Sequence, residues 1–84
     1  MADKVHEFGK TVPGSDGTPY VVRAFAEKRG HIWIGWLEFR PANGKGPVLH
    51  IGEETSQPNK DAVVYWASGL EPVYLEGALQ RARK

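Results

Sequence analysis

The sequence predicts an α+β fold, in which two C-terminal helices pack on one face of an antiparallel four-stranded β-meander. Residues 20–40 form two runs rich in β-branched and aromatic residues, joined by a short polar segment, which is typical of a β-hairpin. Glycine and proline clusters at 13–19 and 41–47 separate this hairpin from shorter segments on either side. Residues 60–68 and 72–83 carry apolar side chains at helical spacing.

The first strand is predicted as a short edge strand within residues 5–12, where the alternation of apolar and polar residues is weak. Phe8 and Val12 are its expected anchors in the core. The strands together are expected within residues 5–52, ahead of both helices.

The hairpin sorts into two faces if its tight turn is centred on residues 29–30. That register sets Arg23 opposite Trp36. One face is then uncharged, and we expect it to pack on the core: Tyr20, Val22, Ala24, Ala26, Trp33, Gly35, Leu37 and Phe39. The outer face mixes charged with large apolar side chains: Val21, Arg23, Phe25, Glu27, Ile32, Ile34, Trp36 and Glu38.

The fourth strand is predicted at residues 48–52, after a strong turn signal at 43–44. If that turn carries a bulge, His50 lies beside Glu38 on the outer face. Residues 54–59 are polar, and we expect them to end the sheet as a connector to the first helix.

Both helices have start and stop signals. Asn59 is the predicted N-cap of a helix over about 60–68, and Gly69 is its expected left-handed stop. Pro72 suits the first turn of a second helix over about 72–83. The apolar stripes are Val63, Trp66, Ala67 and Leu70 on the first helix, and Leu75, Ala78, Leu79 and Ala82 on the second.

The three tryptophans are expected to differ in environment. Trp33 and Trp66 belong to the core, and Trp66 should be its central helical residue, packed over the shallow strip of Ala24, Ala26 and Gly35. Trp36 lies on the mixed outer face, where an aromatic side chain stacks on a neighbour or meets a partner.

Composition excludes several classes of site. The 84 residues suit one domain, 1–84, and they include no cysteine, so disulfides, thiolate zinc sites and cysteine nucleophiles are excluded. His6, His31 and His50 are too scattered to suggest a metal site, and we expect neither a metal nor a cofactor. The chain shows no signal-peptide core and no run of about 20 apolar residues, so we expect a soluble, cytoplasmic protein.

Three stretches of the C-terminal half carry a resemblance to known proteins. They read ETSQP at 54–58, YWASGL at 65–70 and YLEGAL at 74–79, and they are similar to a group of short bacterial proteins of unknown function. The resemblance implies a stand-alone bacterial domain. It supplies no substrate, cofactor or catalytic residue, so no site is transferred from it.

The outer face is the main candidate for a function, because it places apolar area where water is expected. We expect a non-enzymatic module that uses this face to bind another protein or a second copy of itself. The candidate binding surface consists of Arg23, Phe25, Ile34, Trp36, Glu38 and His50.

The alternative is single-stranded nucleic-acid binding. Phe25 and Trp36 would stack on bases, while Arg23, Arg40 and Lys45 would meet phosphates. The formal charge of +1, from 11 basic and 10 acidic residues, disfavours this alternative. No membrane partner is expected.

An enzymatic role has weaker support. Glu38 and His50 could form an acid–base pair, with Glu53 and Ser56 nearby at the end of the same strand. A cross-strand ion pair on a solvated face explains the first two residues equally well. A flat sheet face also excludes little water, so we expect no catalytic residues.

Overall fold

The computed structural model describes residues 2–84, and Met1 lies outside the described residues. It confirms the α+β class, with an antiparallel sheet of six strands and two C-terminal helices. The strands are β1 (Asp3–Glu7), β2 (Val12–Pro13), β3 (Pro19–Arg29), β4 (Ile32–Pro41), β5 (Leu49–His50) and β6 (Thr55–Gln57), and the helices are α1 (Lys60–Ser68) and α2 (Pro72–Arg81). The meander runs β1-β3-β4-β5, while β2 pairs with β3 and β6 pairs with β4.

The predicted first strand is divided into β1 and β2, which both pair with β3. A bend at residues 9–10 separates them. The Phe8 amide still donates to the Val22 carbonyl at 3.1 Å, and the Phe8 ring packs against the core. Val12 is buried, so both predicted anchors are confirmed.

The hairpin register differs from the predicted one by two residues. Arg29 pairs with Ile32, which leaves residues 30–31 as the loop. Gly30 has a φ of +59° and no other residue type has a positive φ within residues 2–84, the pattern of a type II′ turn with glycine at its first central position. The predicted turn at 29–30 is therefore wrong by one residue.

A shift of two residues leaves every side chain on its own face, because side chains alternate along a strand. The assignment of faces is therefore correct, although the cross-strand partners are not. Ala24 faces Leu37 and not Gly35, and Trp36 faces Phe25 and not Arg23.

The second edge of the sheet carries a bulge. The amide of Ile51 donates to the carbonyl of Leu37 at 3.2 Å, and Thr55 pairs with Gly35. Residues 52–54 therefore stand opposite Trp36 alone.

Of the two strands that flank this bulge, the sequence predicts β5 but not β6. The expected place of His50 beside Glu38 is confirmed. The expectation of a connector at residues 54–59 is wrong for Thr55–Gln57, which forms β6 against the first half of β4.

Helix α1 begins as predicted and ends differently. Asn59 Oδ1 accepts a hydrogen bond from the Ala62 amide at 2.8 Å, which confirms the N-cap. Gly69 has a φ of −94°, so the expected left-handed stop is wrong. Its amide instead bonds the Trp66 carbonyl at 3.3 Å, which tightens the last turn.

Helix α2 starts at Pro72 as predicted and ends at Arg81, two residues before the expected end at 83. Ala82 is extended. Arg83 and His50 then exchange two backbone hydrogen bonds, of 2.7 and 3.0 Å. These bonds to the sheet edge replace the last helical bonds.

The core lies between the uncharged sheet face and the two helices. Val63 and Ala67 of α1 are fully buried, whereas Trp66 is half-buried, so the prediction of Trp66 as the central residue is wrong. A Cβ atom added to Gly35 would lie 2.7 Å from Val63 Cγ1 and 3.3 Å from Trp66 Cζ3. Val63 therefore sits on Gly35, and the Trp66 ring reaches it from the side.

Trp33 also differs from its predicted place in the core. It is half-buried at the hairpin end of the core face. Lys60, the first residue of α1, lies with its Nζ 5.9 Å from the centroid of the Trp33 ring and 3.1 Å from the Asp3 carboxylate. This contact fixes the start of α1 over β1 and β4. Within residues 2–84, neither helix has the length and apolar composition needed to span a membrane.

Candidate functional site

The outer face is the side of the sheet that points away from α1 and α2. It includes Val21, Arg23, Phe25, Glu27 and Arg29 on β3, Ile32, Ile34, Trp36, Glu38 and Arg40 on β4, Lys4 and Glu7 on β1, His50 on β5 and Ser56 on β6. The helices bury the opposite face, so no second layer of described residues covers this one. Only the side chains of the sheet itself therefore shield the outer face from solvent.

Two aromatic rings occupy the centre of the outer face. Phe25 and Trp36 pair directly across β3 and β4, with ring centroids 6.1 Å apart and an interplanar angle of 18°. Both side chains are half-buried. Trp36 is the middle one of the five outward positions on β4 and Phe25 pairs with it, so this aromatic pair lies near the midpoint of the hairpin.

An ion-pair network extends from Lys4, which pairs with Phe25, to the end of the face away from the hairpin turn, and we name it the open-end cluster. Glu7 Oε1 accepts from Lys4 at 3.0 Å and from Arg23 at 3.1 Å. Arg40 donates to Glu38 at 2.9 Å, and Arg23 lies 3.8 Å from the same carboxylate. The bonds from Lys4 and then Arg23 hold the pKa of Glu7 below its usual value.

A second ion-pair group, which we name the hairpin-end cluster, extends from Arg29 near the hairpin turn to Glu53 opposite Trp36. Arg29 bonds Glu27 at 3.3 Å and Glu53 at 2.6 Å. Glu27 belongs to β3 and Glu53 to the bulge beyond β4, so the guanidinium that joins them crosses β4. Ile34 lies where the Arg29 side chain crosses β4, and it is only 2% exposed although its side chain is on the outer face. The expectation that Ile34 contributes an exposed contact is therefore wrong.

A shallow cavity of about 250 Å³ opens beside the aromatic pair, where the bulge widens the gap between the strands. Its lining residues are Arg29, Ile34, Trp36, His50, Ile51, Gly52 and Glu53. The floor is apolar and the rim is charged, which suits an apolar side chain presented by a partner better than a charged ligand.

The residues considered for catalysis are each part of the sheet structure. Glu38 pairs with His50 in register, but its carboxylate accepts from Arg40, and the Glu53 carboxylate accepts from Arg29. Within residues 2–84, no group of three or more His, Asp or Glu side chains is placed to hold a metal ion.

Two of the three basic residues considered for nucleic-acid binding also form ion pairs within the sheet. Arg23 and Arg40 both lie against the carboxylate of Glu38. Lys45 lies apart from them, in the exposed loop after β4. Phosphate binding by the two arginines would have to displace these ion pairs.

One polar cluster was missed by the sequence reasoning. Glu54 accepts hydrogen bonds from the Tyr74 hydroxyl and from Arg81 Nη2, the latter at 2.8 Å, and its side chain is 13% exposed. The bond from Arg81 keeps the pKa of Glu54 below its usual value, against the opposing effect of burial. Burial raises the pKa of Tyr74. The only sequence signal was the spacing of Tyr74 and Arg81, two turns apart on one helix.

Fold and surface together define an α+β domain with one sheet face covered by helices and the other left open. Comparison with known protein families, with curated proteins and with solved structures found no match. The resemblance of residues 54–79 to short bacterial proteins therefore remains a prediction.

Proposed function

We propose that this protein is a small, non-enzymatic interaction module of the bacterial cytoplasm, which binds another protein or a second copy of itself through the outer face. The aromatic pair carries this proposal. Phe25 and Trp36 are large, rigid and partly exposed at the centre of a sheet face that no helix covers. Interfaces place aromatic anchors at their centre and charged groups around them, and this face has that arrangement.

The charged clusters support binding over catalysis. The carboxylates of Glu38 and Glu53 are bonded by arginines, and the cavity beside them is shallow and open to solvent. A general acid or base needs a site that excludes water and holds a substrate close. An interface needs only that a partner covers the anchors.

The proposal is tested by mapping where the protein responds to a partner. Backbone amide shifts of the ¹⁵N-labelled chain are recorded with and without bacterial cell lysate, for the native chain and for Trp36→Ser. We expect the responding amides to lie on β3 and β4, and we expect Trp36→Ser to abolish the response.

The matched control is Tyr65→Ser, because Tyr65 is 82% exposed on α1, on the opposite side of the molecule. It should leave the response unchanged. Shifts confined to the helices, or a response lost with Tyr65→Ser but kept with Trp36→Ser, would overturn the proposal. A titration with single-stranded oligonucleotides at low salt tests the nucleic-acid alternative, which requires strong quenching of Trp36 fluorescence.

A further inference from the structure

The loop after β4 contains an Asn-Gly pair at the end of a tight turn. The Gly44 amide donates to the Pro41 carbonyl at 3.0 Å and closes the turn, while Asn43 Oδ1 accepts from the Lys45 amide at 2.8 Å. Both residues of the pair are exposed, and Gly44 has a φ of +74°. A Cβ atom added to Gly44 would meet nothing within 4 Å. The Asn43 side chain therefore lies in solvent beside open backbone.

This arrangement favours attack by the Gly44 nitrogen on the carbonyl carbon of the Asn43 side chain. The two atoms close a five-membered ring, and glycine has no Cβ to obstruct the approach. The Lys45 amide already donates to the oxygen on which negative charge develops during the attack, as an oxyanion-hole donor does. The Gly44 bond to Pro41 must break first, and a turn in an exposed loop opens locally at a small cost in free energy.

From this geometry we infer that Asn43 is a site of spontaneous chemical modification, at which its side-chain amide is lost as ammonia without an enzyme. The Gly44 nitrogen gives its proton to hydroxide and forms a bond to Asn43 Cγ. The Cγ–Nδ2 bond then breaks, ammonia leaves with a proton taken from water, and a succinimide ring remains. Water opens this ring at either carbonyl. Cleavage between Cγ and the Gly44 nitrogen gives aspartate, and cleavage between the Asn43 backbone carbonyl and that nitrogen gives isoaspartate.

The modification changes the charge of the loop and, in one product, the length of its backbone. Each product carries one additional carboxylate, so the formal charge of the chain falls from +1 to 0. Isoaspartate also adds a carbon atom to the main chain, which alters the turn that Gly44 closes with Pro41. The inference does not rest on the proposed function, because neither residue of the pair belongs to the candidate binding surface.

The other asparagine of the chain provides an internal control. Asn59 is followed by Lys60 and not by glycine, and Lys60 is the first residue of α1. The oxygen of Asn59 is held by the Ala62 amide at 2.8 Å as the helix cap. Attack by the Lys60 nitrogen would have to unwind the start of the helix, so Asn59 should keep its amide.

The loop before β3 repeats the turn with an aspartate in place of the asparagine. The Gly17 amide donates to the Gly14 carbonyl at 3.0 Å, Asp16 Oδ1 accepts from the Thr18 amide at 2.9 Å, and Gly17 has a φ of +86°. The bonds from Thr18 hold the pKa of Asp16 below its usual value, so this side chain is a carboxylate at neutral pH. A carboxylate carbon resists attack by a nucleophile. The same turn should therefore react at Asn43 and stay nearly inert at Asp16.

The first test is a time course of the native chain in buffer, followed by peptide mapping with mass spectrometry. The digestion is carried out at acidic pH, which stops the reaction during sample preparation. The peptide containing Asn43 should gain about 1 Da and separate into two products, aspartate and isoaspartate, while the Asn59 peptide stays unchanged. The rate should rise about tenfold from about pH 7 to about pH 8, because the attacking nitrogen must lose its proton.

The second test uses one variant that removes the site and one that duplicates it. Gly44→Ala places a Cβ beside the attacking nitrogen and should slow the reaction at Asn43 at least about tenfold. Asp16→Asn leaves Asn43 untouched and supplies the matching turn with an amide. It should create a second modified position, with a rate within about fivefold of that at Asn43.

The outcomes decide both the site and its route. No mass gain at Asn43 at about pH 8, or equal gains at Asn43 and Asn59 in the folded chain, would overturn the inference. Aspartate without isoaspartate, or a rate unchanged by Gly44→Ala, would overturn the succinimide route. A folded Asp16→Asn chain that stays unmodified at residue 16 would overturn the role of the turn.

Discussion

The two faces of the β3–β4 hairpin are made from alternate residues of the same sequence, yet different forces hold their side chains in place. On the core face, Val22, Ala24, Leu37 and Phe39 are fully buried against the helices. On the outer face, only Ile34 is buried to that extent, and ion pairs and a partly exposed aromatic pair cover the rest.

This difference separates stability from binding. Apolar burial contributes about 25 cal/mol per Å², so the core face supplies most of the free energy that the hairpin gains on folding. Exposed ion pairs contribute about 0 to 1 kcal/mol each. Substitutions on the outer face should therefore alter the proposed binding surface at little cost to the stability of the fold.

The largest expected effect compares one aromatic residue from each face. Phe39→Ala removes a fully buried ring and should lower the free energy of unfolding by about 3 to 5 kcal/mol. Trp36→Ala removes a half-exposed ring and should cost less than about 1.5 kcal/mol. Urea denaturation of both variants measures the difference. Equal costs, or a larger cost at Trp36, would contradict the separation of the two faces.

A second comparison uses two glycines. Gly35→Ala places a methyl group 2.7 Å from Val63 Cγ1, so α1 must shift, and the free energy of unfolding should fall by about 1 to 3 kcal/mol. Gly77→Ala, in the interior of α2, meets nothing within 4 Å and should stabilise the protein by about 0.5 to 1 kcal/mol. Thermal denaturation gives the sign of each effect, and a gain in stability for Gly35→Ala would show that α1 does not rest on Gly35.

The Glu54 cluster links the sheet edge to α2, and its contribution should depend on pH. Glu54→Gln should lower the free energy of unfolding by about 1 to 2 kcal/mol at about pH 7, because it weakens the bonds from Tyr74 and Arg81. Glu53→Gln, at a side chain 59% exposed, is the control and should cost less than about 0.5 kcal/mol.

The sign of the pH effect follows from the lowered pKa of Glu54. Its usual value is 4.5, and the folded protein binds this proton less readily than the unfolded chain does. The stabilisation is therefore complete above the unfolded pKa and is lost as the pH falls through the folded pKa. The free energies of unfolding of the native chain and of Glu54→Gln, measured by urea denaturation, should converge as the pH falls below about 4.5. A constant gap over this fall in pH would show that the Glu54 charge contributes nothing.

The smallest expected effect is on the outer face itself. Arg40→Ala removes an exposed bond to Glu38 and should change the free energy of unfolding by less than about 1 kcal/mol. Urea denaturation at low and high salt measures this change. A cost above about 2 kcal/mol would mean that the ion pairs, and not the core face alone, hold the hairpin together.

The sequence was sufficient to sort the faces because alternation depends only on odd and even positions. The exact pairing was not predictable, since Gly30 suits either position of a two-residue turn, and the choice decides between Arg23 and Phe25 as the partner of Trp36. Either choice leaves the outer face with the same residues, so most of the candidate surface was predictable while its contacts were not.

The remaining differences arise from contacts between distant parts of the chain. Thr55–Gln57 has no apolar alternation and becomes a strand only because β4 extends beyond β5. The helical stripe containing Trp66 was correct, but Gly35 selects Val63 as the residue that sits on the sheet. Ile34 is buried by an arginine that bonds a glutamate 24 residues away. Local periodicity carries no information on such contacts.

The most direct test of the separation between the faces uses the three tryptophans as internal probes. Their indole N–H signals are followed in a ¹H–¹⁵N spectrum as the native protein is diluted from about 1 mM to about 10 μM. Trp36 lies on the outer face, whereas Trp33 and Trp66 lie on the helix side of the sheet. The Trp36 signal should move with concentration while the other two stay fixed. Movement of Trp33 or Trp66 with Trp36 fixed, or three signals independent of concentration, would contradict the prediction that a second copy of the chain binds to the outer face.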